Sequence, residues 1–165
     1  MNIKRIVKHL SMGQASVHRC FSRTALKNIE RAIAEAEQTY AGQLRFVVEH
    51  GLDLVPLVAG TSARQRAIEV FSRLRVWDTE HNNGVLIYVL LADRKVEIVA
   101  DRGVHAMLGE KIWETICQKM GTAFRQGRFE EGSIAGIKSV QQRLSQLYPP
   151  SGTRVNELPD EPVIL

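Results

Sequence analysis

The sequence predicts an α/β domain: a mixed β-sheet with a parallel crossover unit and a β-hairpin, carrying helices on both faces as an α/β/α sandwich. Three observations predict it. Helical and strand-like periodicities follow one another in the order helix, strand, helix, strand, strand, helix, helix. The run VLIYVLL over 85–91 is apolar on both faces, as a strand covered on two sides must be. Asp93 and Arg94 then form a tight turn into the alternating run KVEIVA over 95–100, which makes a hairpin.

The elements follow in order. Residues 3–10, IKRIVKHL, place Ile3, Ile6, Val7 and Leu10 at helical spacing, with Lys4, Arg5 and Lys8 on the other side. This basic amphipathic helix has three readings: a structural helix packed on the domain, a contact for anionic lipid or an acidic partner, or a targeting presequence. Residues 11–20 lack a period and read as a connection. A long helix follows, N-capped by Ser22 or Thr24, with Leu26, Ile29, Ile33, Ala36 and Tyr40 on one stripe and Gly42 at its end. Residues 43–50 alternate as a strand, and 52–59, which contain Pro56, read as an edge strand or an extended crossover. A helix over 62–76 puts Ala67, Ile68, Phe71 and Leu74 inward. Beyond the hairpin a loop follows Asp101, Arg102 and Gly103, and then come helices near 109–124 and 130–147, which bury Ile112, Trp113, Ile116 and Met120, and Ile134, Ile137, Val140 and Leu144. Pro149 and Pro150 end the last helix. The expected organisation is a basic segment over 1–20, an α/β domain over 21–148 and an irregular tail over 149–165.

A chain of 165 residues with 44% hydrophobic and 24% charged content fits one domain with its own core. Cys20 and Cys117 have no ligand spacing, so neither a structural zinc nor a disulfide framework is expected. Cys117 falls in a helical apolar stripe and reads as a small hydrophobe. No apolar run approaches the roughly 20 residues of a membrane span, and no secretory signal pattern is present. The expected location is cytoplasmic, with peripheral membrane association as an extension. The charge is uneven: residues 1–31 hold seven Lys or Arg and one acid, and the rest hold fifteen basic and seventeen acidic residues. Basicity confined to one terminus points to an anionic membrane surface at residues 1–10 or to a protein partner. It does not predict specific nucleic-acid binding.

The topology gathers polar side chains at one edge. The 78–84 loop enters the strand at 85, and the returning strand delivers Asp101, Arg102 and Gly103 to the same end. Asp78, Glu80, His81, Asn82 and Asn83 therefore lie near Asp101 and Arg102, while Glu49, His50, Asp93 and Arg94 lie at the opposite end. Carboxylate and amide oxygens in a glycine-containing loop suit a hard cation such as calcium. Asp78, Glu80, Asn82, Asn83 and Asp101 are the candidate metal ligands, and Arg102 is the candidate anion or phosphate contact. The plainer reading is a solvated turn in which Asn83-Gly84 permits positive φ. No nucleophile elbow, P-loop, dinucleotide fingerprint or zincin motif occurs.

NNGVLIYVLLADRK over 82–95, VEIVADRG over 96–103, FRQGRF over 124–129, GSIAGI over 132–137 and the upstream Trp77 together resemble the TPM domain family, across residues 23–148. The resemblance implies an α/β sandwich, a metal-binding acidic pocket and, in some plant members, acid phosphatase activity. Many members carry a signal peptide and a transmembrane tail; this chain resembles a soluble bacterial subgroup instead. It departs from the family pattern twice. Asn82 and Asn83 stand where an acidic pair is common, and ADRG over 100–103 stands for a VGYG-like ending. The first change weakens a calcium site; the second adds Arg102, which opposes a cation. The favoured expectation is a non-catalytic accessory or interaction domain associated with membrane or envelope assemblies. The alternative is a calcium- or magnesium-dependent phosphatase using the pocket at 78–84 and 101–103.

Overall fold

The computed structural model describes residues 3–150 and 156–165. The elements in chain order are α1 (Ile3–Ser11), α2 (Gln14–Cys20), α3 (Arg23–Glu37), β1 (Gln43–Glu49), α4 (Leu54–Val58), α5 (Ala63–Arg73), β2 (Gly84–Leu90), β3 (Lys95–Ala100), α6 (Arg102–Leu108), α7 (Glu110–Arg125), α8 (Phe129–Leu147) and β4 (Val163–Ile164). The strands form one mixed sheet in the order β3-β2-β1-β4. β1 and β2 run parallel, with Gln43 opposite Gly84 and Glu49 opposite Leu90. β2 and β3 are antiparallel, with Val85 opposite Ala100 and Leu90 opposite Lys95.

The alternation of the strands sorts the core into two layers. Leu44, Phe46, Val48, Val85, Ile87 and Val89 face α3, α7 and α8 with Ile29, Ile33, Trp113, Met120, Ile137 and Leu144. Val47, Leu86, Tyr88 and Leu90 face α5 with Ala67, Val70 and Phe71. This is the expected sandwich, and β1 and β2 are buried along their full length. Phe21, Phe46, Phe124 and Phe129 pack edge-on or tilted at the first layer's margin. Ser22 is the α3 cap, accepting from the Ala25 N–H at 3.1 Å. Ser62 and Gln65 close a capping box on α5.

Five local expectations are corrected. Residues 54–58 are helical, not extended: Pro56 sits in the first turn, where its missing N–H has no intrahelical partner to lose. Residues 14–20 form α2, because Val17 is fully buried against the core. Residues 102–108 form α6 and not a loop, capped by Asp101. On α5, Val70 is buried and Ile68 is exposed. The tail is not wholly irregular: Val163 and Ile164 pair in parallel with Val47 and Val48, so β4 becomes the outer strand beside β1.

That last pairing fixes the chain's end. Leu165 N–H donates to Val48 O at 2.9 Å, and His50 N–H donates to Leu165 O at 3.1 Å. Leu158 is buried in the second core layer. Arg45, buried on β1, donates to the Pro159 carbonyl and reaches the Glu161 carbonyl at 3.4 Å. Burial of Arg45 lowers its pKa, and the carboxylates of Asp160, Glu37 and Glu161 oppose that shift.

Candidate functional site

The two loops meet, as the topology requires. Asp101 N–H donates to Gly84 O at 2.9 Å, continuing the β2–β3 ladder one step beyond the strands. A Cβ on Gly103 would lie 2.8 Å from Asn82 O and 3.2 Å from the Tyr148 hydroxyl, so this backbone is packed directly against the loop. Gly84 is required for space and not for its dihedrals. A Cβ there would sit 1.9 Å from Val76 O, while the positive φ of the loop, 50°, belongs to Asn82. The expected role of Asn83-Gly84 in positive φ is corrected accordingly.

The predicted ligands divide into two sets. Asp78, Glu80, His81, Asn82 and Arg102 are exposed. Asn83 and Asp101 are buried, with 2% and 6% of their surface accessible. The Asn83 side-chain amide donates to Ala41 O, and its N–H donates to Thr79 Oγ1 at 3.1 Å. Asp101 Oδ1 accepts from the Arg102 N–H at 2.6 Å and caps α6. Asp101 Oδ2 is buried and has no hydrogen-bond partner among the described residues. Tyr148, from the end of α8, closes this side. Burial raises its phenol pKa, and the Asp101 charge raises it further.

Other members of this edge carry no signal at helical or strand spacing. Gln43 Oε1 accepts from the N–H groups of Glu157 and Leu158 at 3.0 and 2.8 Å. Glu157 Oε2 accepts from the Glu80 N–H at 3.0 Å. Ala41 N–H donates to Tyr148 O at 2.9 Å. The edge is thus a loop clamped from one side by α8 and from the other by the C-terminal segment. Only the apolar VIL ending offered a clue that the tail returns to the sheet.

A calcium or magnesium ion needs several oxygens converging on one point. Asp101 Oδ2 is one such oxygen. Asp78 and Glu80 stand out in solvent, and the Asn83 amide turns its N–H toward Ala41. Among the described residues no group of three or more His, Cys, Asp or Glu side chains is placed to hold a metal ion. In this arrangement the residues present do not complete a cage.

Two other polar features lie away from the edge. Glu49, Arg66 and Tyr88 form a buried cluster: Arg66 holds the Glu49 carboxylate in a fork at 2.8 to 3.2 Å, and Tyr88 donates to Glu49 Oε2 at 2.5 Å. Burial and the Glu49 charge push the Tyr88 phenol up. This cluster satisfies its own charges and ties α5 to the sheet. Beside β3 runs an open groove of about 760 Å³ between α5 and α7. There Arg64 donates to the outward carbonyl of Ile98 at 2.5 Å, which blunts the free strand edge. Burial pushes the Cys117 thiol up to about 12.

The comparisons with known proteins fit this geometry. A family model described as TPM domain matches residues 18–143, which contain both strands of the hairpin and all of the loop edge except Tyr148 and the tail. The chain belongs to the TPM domain family. Among solved structures, this TPM domain is similar to the BA42 protein of the psychrophilic bacterium Bizionia argentinensis. The two are 28% identical over 88% of this chain and 95% of that one, with a TM-score of 0.77. It also resembles the N-terminal domain of a protein from P. gingivalis, at 18% identity over 81% and 83% of the two chains and a TM-score of 0.65, a likeness of fold alone. No curated protein matches it.

Proposed function

We propose that this TPM domain is a non-catalytic accessory or interaction domain that works through the edge formed by 78–84 and 101–103, in the cytoplasm and next to membrane or envelope assemblies. One observation carries the reading. The buried polar groups of the edge hold backbone, while Asp78, Glu80, His81, Asn82 and Arg102 are displayed outward on a clamped loop. A rigid base with an exposed mixed-charge rim suits recognition of a protein partner. Among the described residues no helix is long and apolar enough to cross a membrane, so association with one would be peripheral.

One observation favours a second reading, a calcium- or magnesium-dependent phosphatase. Asp101 Oδ2 is a buried carboxylate oxygen without a hydrogen-bond partner among the described residues, an arrangement that a cation would relieve. Asp78, Glu80 and Asn82 would have to swing toward it, and Arg102 would take the phosphate. Titration with calcium and with magnesium, followed by backbone amide NMR, separates the two. The first reading expects no saturable shifts confined to 78–84 and 101–103 at millimolar metal. Saturable shifts there, abolished by Asp101→Asn, would carry the second.

A further inference from the structure

We infer that α1 and α4 form a docking face for an anionic lipid surface. The inference rests on the membrane-associated part of the proposed function and is independent of the loop edge's chemistry.

The helix α1 is mounted by its polar side. His9 is 2% exposed; its Nε2 lies 2.8 Å from Asp93 Oδ1, and its Nδ1 accepts the Leu52 N–H at 2.9 Å. That acceptor role leaves the ring proton on Nε2, facing the carboxylate. Arg5 grips Asp93 at 2.8 Å and Thr61 O at 2.8 Å. The backbone of His9 approaches so closely that a Cβ on Gly51 would lie 2.8 Å from His9 O. Of the apolar stripe of α1, only Ile6 packs against the core.

The rest of that stripe faces water. Ile3, Val7 and Leu10 are 66%, 61% and 58% exposed. The neighbouring α4 adds Leu54, Val55 and Val58 at 52%, 79% and 59%. Nine large apolar side chains are exposed among the described residues, and six of them belong to these two short helices. Such clustering marks an interaction surface and is not ordinary scatter.

Charge selects the occupant. Lys4 and Lys8 are exposed along the flank of α1, which holds no acidic residue; Asp53, before α4, is the acid nearest to the patch in sequence. Aliphatic side chains flanked by lysines match the boundary between acyl chains and anionic headgroups. A second copy on this face would instead bring two basic helices together. Position supports the same occupant. The α1 anchor is Asp93, at the end of the sheet where β1 and β2 finish, so lipid docking leaves Asp78, Glu80, Asn82 and Arg102 at the far end, open to a partner.

The test is co-sedimentation of the full chain with phosphatidylcholine vesicles, with and without phosphatidylglycerol. The protein is expected to bind the phosphatidylglycerol vesicles at least about tenfold more tightly at low salt. Val7→Asp with Val55→Asp should abolish binding, and Lys4→Glu with Lys8→Glu should weaken it about tenfold. All these sites are exposed, so circular dichroism and melting should match the parent. Equal binding to both vesicles, no binding, or binding indifferent to the Val7→Asp/Val55→Asp pair would overturn the inference. So would a dimer in light scattering that this pair dissolves, which would assign the face to a second copy. Phosphomonoester turnover measured on the same proteins reports on the loop edge alone, so failure there does not touch this result.

Discussion

The Asp101 N–H donates to the Gly84 carbonyl at 2.9 Å, and that bond joins the two outer ends of the hairpin into one edge. The bond depends on Gly84 fitting under Val76, whose carbonyl would stand 1.9 Å from an added Cβ. Gly84→Ala must push one backbone segment away from the other. It should destabilise the fold by about 3 kcal/mol, read as a lowered urea midpoint. Parent-like stability would contradict the packing described for this turn.

Asn83 holds the loop through its side-chain amide N–H. Asn83→Asp sets a carboxylate against the Ala41 carbonyl in a buried place. Without metal it should lose about 3 kcal/mol of stability, measured by urea denaturation. An unchanged midpoint would mean that the loop does not rely on this amide.

The α1 latch gives a pH signature. Burial raises the Asp93 carboxyl, but hydrogen bonds from Arg5 and His9 and the Arg5 charge outweigh it and hold its pKa below the ordinary carboxylate value. A carboxylate depressed in the folded state adds stability above its unfolded pKa and loses it as pH falls through the folded value. Asp93→Asn should therefore cost about 1–2 kcal/mol at pH 7. The gap to the parent should begin to close as pH drops below about 4. A gap independent of pH, followed by denaturation at each pH, would contradict the ion-pair account.

The C-terminal strap is structural. Removing 156–165 strips the β4 pairing, the Leu158 contact in the core and the carbonyls that hold Arg45. The loss should be at least about 3 kcal/mol. Hydrogen exchange should speed at the Leu165-facing end of β1 and at Glu80, whose N–H rests on Glu157. Protection unchanged at both places would show that the strap is dispensable.

The main layers were readable because burial on the sheet imposes strict periods. Leu44, Phe46 and Val48 alternate, VLIYVLL is apolar throughout, and Trp113, Ile116 and Met120 recur on one helical face. Where packing is local, the period failed. Pro56 suggested extended chain, yet in a first helical turn it disturbs nothing. The α1 stripe allowed packing on the domain or a lipid contact, and the polar pair His9 and Asp93 decides which side docks. The loop edge followed from hairpin topology. The Gln43–Glu157 and Ala41–Tyr148 contacts join residues over a hundred positions apart, the Glu80–Glu157 contact spans 77, and none leaves a local pattern. Whether a carboxylate is committed or free, as the two oxygens of Asp101 are, depends on geometry alone.

We propose that this TPM domain binds a partner and does not catalyse. The most direct measurement is turnover of p-nitrophenyl phosphate by the full chain with calcium, with magnesium and with chelator, beside Asp101→Asn. The account predicts no metal-dependent turnover above the protein-free blank and no difference between parent and variant. Saturable turnover that needs metal and disappears in Asp101→Asn would contradict it.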